Sequence, residues 1–361
     1  MQNAMDVAVK WFVCLKTQII KGWAQRHQFK DFFTKSKDIY SELMGVDFDS
    51  TAILCVKLSR RLGKIHVVQA SQIALPADTV TDEGVIHNGT LFVNTLRSAL
   101  LQLQVKAKKI AIAMPGSKVI FRQAKLKKII TESEAENLAW QEAKKSFPNL
   151  FKNLLLDFSL IKNKNADELI SQTLILVIAR QEDVIPRVEI LGRAGLITKI
   201  VDVDYCAIAR AYALFASQLP REHVNQHVAI LNFDSHNLIL VIMHNHHMMY
   251  VNRHAFLDNP SLLKISLMSP LSEEQKLQLI LQIKRLFQLF FTDFNEKSID
   301  HIVLTGRYAL IPNLKTEVEK ELNIAVTIGD PLAALGVDSE KVKNGPAFTI
   351  CCGLAMRGMA T

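Results

Sequence analysis

The stretch LMGVDFDSTAILCVKLS, residues 43–59, reads as an apolar strand, a tight acidic turn and a second apolar strand. Its pattern returns at residues 228–244 as VAILNFDSHNLILVIMH. Period-two alternation around a short polar turn is the signature of a β-hairpin. The first copy carries Gly45, Asp47 and Ser50, and the second carries Asn232, Asp234 and Ser235. A hairpin repeated at this distance implies two related halves.

Working outward, Leu43 to Leu75 alternates as three short strands, and Leu91 to Leu103 places its leucines at helical spacing before a strand at Ile110 to Met114. A strand, a helix containing Glu132 to Lys145 and strands near Leu154 to Leu160 and Thr173 to Ile178 read as an inserted unit. Helices follow at Asp183 to Ala194, with Gly195 as C-cap, and at Tyr205 to Ser217. After the second hairpin come the segment Leu262 to Met268 and a helix at Leu277 to Phe291. Its polar residues Gln278, Gln282, Arg285 and Gln288 form one narrow stripe, which predicts burial around nearly the whole circumference. A strand at Ile302 to Leu304 leads to the turn Thr305-Gly306-Arg307, then a charged helix at Leu314 to Leu322 and an apolar terminal helix over Pro346 to Gly358.

With 361 residues, 49% of them hydrophobic, the chain supplies core for two to four domain-sized units. The net charge of +8 permits an anionic partner, but Lys and Arg are spread along the chain rather than banked in one block, so nucleic acid is not expected. Five cysteines without C-x-x-C spacing make a poor disulfide framework and fit a reducing cytoplasm. No apolar stretch approaches the roughly 18 to 20 residues of a membrane span, which predicts a soluble or peripheral protein. Residues 1–40 stand apart: Trp11, Leu15, Ile19 and Trp23 recur every four residues among Lys10, Lys16, Lys21 and Arg26, either as a basic amphipathic helix for a membrane surface or as a plain extension.

The two hairpins, the Thr305-Gly306-Arg307 turn and the terminal run from Pro346 to Gly358, in this order and spacing, resemble the actin-like ATPase superfamily. Within it, the resemblance is to the PilM family of FtsA-like proteins of type IV pilus assembly, from about Ser41 to Met359. This implies an α/β, actin-like fold of duplicated RNase H-like halves with an FtsA-type inserted subdomain. The division implied is an N-terminal extension at 1–40, a first half at 41–115 together with 179–225 and 340–361, an inserted partner-docking subdomain at 116–178, and a second half at 226–339 with a shortened subdomain at about 254–294. In such a cleft ATP and Mg²⁺ are the implied cofactors. If nucleotide binding is retained, Asp47, Ser50, Asn232, Ser235 and Gly306 hold it and Asp47 holds the metal. Several positions depart from the family: Asp49 and Asp234 stand where it has glycine, Leu54 where it has lysine, Asn232 where it has a carboxylate, and Gly306 where it has a run of glycines. Two unit charges 4 Å apart repel by about 1 kcal/mol in bulk water and roughly 4 kcal/mol at an effective dielectric of 20, so Asp49 disfavours a triphosphate. Arg307 is left three readings: it fills the adenosine slot, contacts phosphate or lies on the surface.

The resemblance therefore implies a cytoplasmic scaffold, peripheral to the inner membrane and without ATP hydrolysis, that binds the cytoplasmic N-terminal tail of PilN through the inserted subdomain. Other platform proteins and the motor ATPase are further partners it implies. The alternatives are a nucleotide-switched ATPase of the same machinery and a related type II secretion or competence component. No G-x-S-x-G, P-loop or G-x-G-x-x-G occurs, and no catalytic residue is assigned. His244, His246 and His247 suit a soft metal by chemistry but lack a spaced partner, and read as a polar turn. Cys351 and Cys352 read as buried, inert thiols.

Overall fold

The computed structural model describes residues 43–359 except 82–83, 127–128, 149–152, 164–170, 217–218, 220–226, 235–236, 256–268, 295–297, 339 and 341. The basic helix expected within residues 1–40 and the segment Leu262 to Met268 lie outside the described residues, as does Ser235.

The opening stretch forms β1 (Met44–Phe48) and β2 (Ala52–Arg61), and β3 (Lys64–Ala74) continues the antiparallel meander. Helix α1 (Gly89–Gln102) then returns the chain so that β4 (Lys109–Met114) pairs parallel with β1. Three strands, β5 (Val119–Leu126), β6 (Leu154–Asn163) and β7 (Ser171–Arg180), form a separate sheet in the order β5-β7-β6, with α2 (Glu132–Ser146) between β5 and β6. Thr131 starts α2 with a reciprocal capping box to Glu134. After α3 (Gln181–Arg193) the chain rejoins the first sheet as β8 (Ile197–Val203), parallel to β4, giving the order β3-β2-β1-β4-β8. Helix α4 (Asp204–Phe215) closes this half.

The second half repeats the plan. Strands β9 (His227–Phe233), β10 (Asn237–His244) and β11 (His247–Ala255) form the antiparallel meander, and β12 (His301–Gly306) and β13 (Val326–Ile328) add in parallel. The order β11-β10-β9-β12-β13 matches the first sheet strand for strand. Its helices are α5 (Glu273–Phe294), α6 (Leu314–Leu322), the short α7 (Pro331–Ala334) and α8 (Thr349–Ala355). Among the described residues no helix is long and apolar enough to cross a membrane.

Strand alternation sorts the core into layers. On the first sheet Met44, Val46, Ile53, Ile110 and Ile112 face out, in one cluster with residues of α1 and α3. Their neighbours Leu54, Val56 and Leu58 face in and join Phe348, Cys351 and Cys352 of the terminal segment. On the second sheet Leu231, Leu240 and Leu304 face out toward α5 and α6, whereas Ile230, Val241 and Val303 face in toward α4. The last helix of each half thus packs on the other half's sheet. These two helices meet where there is no room for a side chain: a Cβ on Gly353 would fall on the Ala207 carbonyl, 2.9 Å from Ala207 Cα.

Two expectations change. Helix α5 is not buried around its circumference: Leu279, Ile283, Leu286 and Phe290 face the sheet, while Leu277, Leu281 and Leu289 are exposed. It is an outer-layer helix, and an apolar count does not by itself settle burial. The terminal run is not one helix either, since 3₁₀ turns at Gly345–Phe348 and Met356–Met359 flank α8. Cys55, Cys206, Cys351 and Cys352 are free and buried, and burial pushes the Cys55 thiol up to about 12. Because the methyl group of Gly353→Ala has no space beside Ala207, that variant is expected to lose about 3 kcal/mol of stability in urea denaturation.

Candidate functional site

The same alternation aims the candidate residues. Gly45 faces α8, so Asp47, two residues on, points from β1 into the gap between the halves. Asn232 shares the inner face of β9 with Ile230. The two hairpins present equivalent tips, Asp47-Phe48-Asp49 and Asn232-Phe233-Asp234.

Both tips are closed by their own carboxylates. Asp49 accepts hydrogen bonds from Thr51 N at 2.7 Å, Thr51 Oγ1 at 2.7 Å and Ala52 N at 3.0 Å. Asp234 accepts from Asn237 N at 2.6 Å. The backbone crossings match as well, with Asp49 N donating to Ala52 O at 3.1 Å and Asp234 N to Asn237 O at 3.0 Å. Side-chain carboxylates that take nearby amides in this way form Asx turns. In the first turn these amides are the donors that a phosphate oxygen needs, and Asp49 already occupies them.

Arg307 completes the closure from the other half. Its Nε lies 3.0 Å and its Nη2 2.8 Å from Asp49 Oδ2, and the residue is 8% exposed. Its carbonyl accepts from Asn344 Nδ2 at 2.8 Å. Of the three sequence readings of Arg307, the surface one is overturned: the residue is buried and pairs with the acidic turn. Gly306, before it, has φ +85°, and a Cβ there would lie 2.7 Å from Phe233 N, so this glycine serves strand contact.

Further charges line the gap. Burial and then the Asp49 charge push Asp47 up to about 7, against the lowering effect of Arg187. Although burial alone raises it, Asp49 is held below the usual carboxylate range by Arg307 and the Thr51 and Ala52 donors. Arg187 sits 4.7 Å over the Phe48 ring and donates to Gly84 O at 2.6 Å. Arg253, brought down to about 10 by burial, pairs with Asp204, which also accepts from Gly116 N at 3.1 Å. Asn232 is buried and accepts from Thr305 Oγ1 at 3.0 Å. Ser50 lies in the first turn, half-buried and already engaged.

Asp47, Ser50, Asn232 and Gly306 are thus placed around one gap. Arg187, Arg253 and Asp204 belong to it too, and no local motif announces them. Leu54 is a core residue packed with Phe348 and Cys351. In the histidine-rich turn, His246 has φ +64° and its ring lies 5.8 Å from Tyr212, while the His227 and His244 rings lie 4.8 Å apart. Among the described residues no group of three or more His, Cys, Asp or Glu is placed to hold a metal ion.

Comparison with known proteins adds the family. The model of the type IV pilus assembly protein PilM matches residues 45–259 and 257–359. A solved PilM-PilN type IV pilus biogenesis complex superposes with a TM-score of 0.69 at 19% identity, covering 88% of this chain and 98% of that chain. A protein with actin-like ATPase fold and unknown function from Bacteroides thetaiotaomicron gives a TM-score of 0.42 at 9% identity, over 85% of this chain and 100% of its own. The ethanolamine utilization protein EutJ from Carboxydothermus hydrogenoformans also gives 0.42, at 10% identity over 87% and 88%. The fold is actin-like, and the chain belongs to the family of the type IV pilus assembly protein PilM.

Proposed function

We propose that this protein is a cytoplasmic, actin-like adaptor at the inner-membrane platform of type IV pilus assembly, which captures the cytoplasmic tail of PilN and does not hydrolyse ATP. The family match and the likeness to a PilM-PilN complex support the partner. The observation that carries the second part is the Arg307–Asp49 pair over a turn whose amides are already taken. A magnesium-bound triphosphate does not fit these residues. It would have to displace that pair and lie against Asp47, Asp49 and Asp234 together, at the cost of their mutual repulsion.

A peptide needs a groove with apolar pockets rather than a phosphate cradle. The junction of the inserted sheet with the first half holds only a water-sized cavity of about 20 Å³, lined by Met114, Val119, Leu155, Val177, Ala179 and Val184 together with Asp157 and Asp202. We place the tail along the inserted subdomain beside this junction.

Three outcomes test this. In the full-length protein 1 mM MgATP leaves the melting temperature unchanged, where a Kd near 10 μM would add about 2.7 kcal/mol of stability. A synthetic PilN-type tail peptide binds saturably to the same preparation by calorimetry. Nucleotide stabilisation that vanishes in Asp47→Ala would restore the ATPase switch instead. Second, Asp49→Ala strands a buried guanidinium and loses about 3 to 5 kcal/mol, whereas adding Arg307→Ala recovers part of that loss in a double-mutant cycle. Third, Asp47 binds its proton more tightly in the folded chain than in the unfolded one, so its contribution weakens as pH rises from about 4 to about 7. Asp47→Asn removes that decline and is more stable than the parent at pH 8, by on the order of 2 to 4 kcal/mol in urea denaturation.

A further inference from the structure

The cations of this chain are spread, but its acids are not. Residues 50–131 hold thirteen Lys and Arg against three Asp and Glu, so this stretch carries all of the chain's excess positive charge and the remainder is slightly acidic. Within it the tip of the β2–β3 hairpin is fully exposed. There Arg61 pairs with Lys64 across the two-residue loop Leu62-Gly63, whose φ values are +49° and +77°. Such a loop is a type I′ turn, where Asn-Gly is strongly favoured because at positive φ a Cβ crowds the backbone carbonyl, which glycine avoids and asparagine tolerates. This protein places a leucine there instead, and Leu62 is 103% exposed.

The hairpin is held as a projection. Strand β2 pairs with β1 only as far as Lys57, so four residues on each arm run beyond the sheet, about 13 Å at roughly 3.3 Å per residue. Ile65 and Val67 pack back on the cluster that holds Met356 and Met359, which fixes its direction. Arg60, Arg61 and Lys64 are exposed and make no ion pair among the described residues. Behind the tip, Gln69 of this edge strand donates to Leu103 O at 3.1 Å, which sets Leu101, itself 74% exposed, and the exposed Lys106 and Lys108 on the same margin. Neither folding nor solubility accounts for a strained, fully exposed leucine inside a ring of unpaired cations.

We propose that the Arg60–Lys64 tip is a membrane contact that lowers Leu62 into the acyl boundary of an anionic bilayer while Arg60, Arg61 and Lys64 take lipid phosphates. A convex tip has no groove for a peptide, and an acidic protein has no use for the leucine. A lipid surface uses both features, because cations bind its headgroups and an apolar side chain gains by leaving water. The contact deepens the placement at the inner membrane proposed above. The hairpin lies apart from the proposed peptide junction, so either reading can fail alone.

The test is partition of the full-length protein into vesicles of phosphatidylcholine with phosphatidylglycerol, against phosphatidylcholine alone. Arg61→Gln with Lys64→Gln is expected to weaken binding about 20-fold, at about fivefold per cation, and Leu62→Asn about fivefold to tenfold. Asparagine suits the left-handed turn, so Leu62→Asn keeps or raises the melting temperature and its loss of binding is not a loss of fold. A local readout separates the tip from residues 1–40. An environment-sensitive dye on Leu62→Cys, in a Cys14→Ser background whose other four thiols are buried, shifts to the blue on anionic vesicles. An unshifted dye overturns the proposal even where the protein still partitions. Binding that depends on Arg61 and Lys64 but not on Leu62 also overturns it, and indicates an acidic protein face.

Discussion

The crossing of α4 and α8 at Gly353 sets the spacing on which the rest depends. Each helix closes one half and lies on the other half's sheet, so the halves share a core rather than a surface. Backbone meets backbone at Ala207, and Arg210 of α4 reaches back to donate to Gly353 O at 2.8 Å. Beside this crossing the fully buried Asp202 faces Arg210 at 3.0 Å and Arg357 at 3.6 Å. A buried carboxylate is tolerated only with such partners, so these ions also fix the register of the two helices.

From that spacing follows the chemistry of the gap. With the sheets held this close, the end of β12 comes within ion-pair reach of the β1–β2 turn, and Arg307 meets Asp49. The turn itself is built around a carboxylate, which takes the Thr51 and Ala52 amides. Asp49 satisfies the amides, neutralises the guanidinium and sets the hairpin, which makes one side chain responsible for three roles that a nucleotide loop divides between glycine and ligand. Asp234 closes the second hairpin by the same Asx geometry, so both halves carry this turn.

The architecture was legible because it rests on local periodicity and repetition. Strand alternation alone aims Asp47 and Asn232 at the gap, and the repeated hairpin gives the two halves. Arg307 was visible as a substitution but its partner was not, because Asp49 lies 258 residues away and nothing local encodes the pairing. Arg187 and Arg253 were invisible for the same reason: one is an arginine on a helix and the other an arginine on an edge strand, ordinary until the fold brings them to Asp47 and Asp204. The leucines of α5 misled in the opposite sense, since composition predicted burial that only the layer order decides. The charge distribution was hidden by counting cations alone, when the signal lay in where the acids are missing.

Charge in this fold is sorted between inside and outside. In the gap Asp49 and Asp204 each pair with an arginine from the other half, Arg307 and Arg253, and Asp47 is flanked by Arg187, so the cleft neutralises itself. A cleft built for polyphosphate has the opposite need, an excess of unsatisfied donors facing the ligand. Here Arg60, Arg61 and Lys64 stand on the outer margin of the first sheet, where no ion pair among the described residues answers them. Positive charge without an ion pair among the described residues therefore lies at the edge of the molecule, whereas the charges lining the gap answer one another from opposite halves.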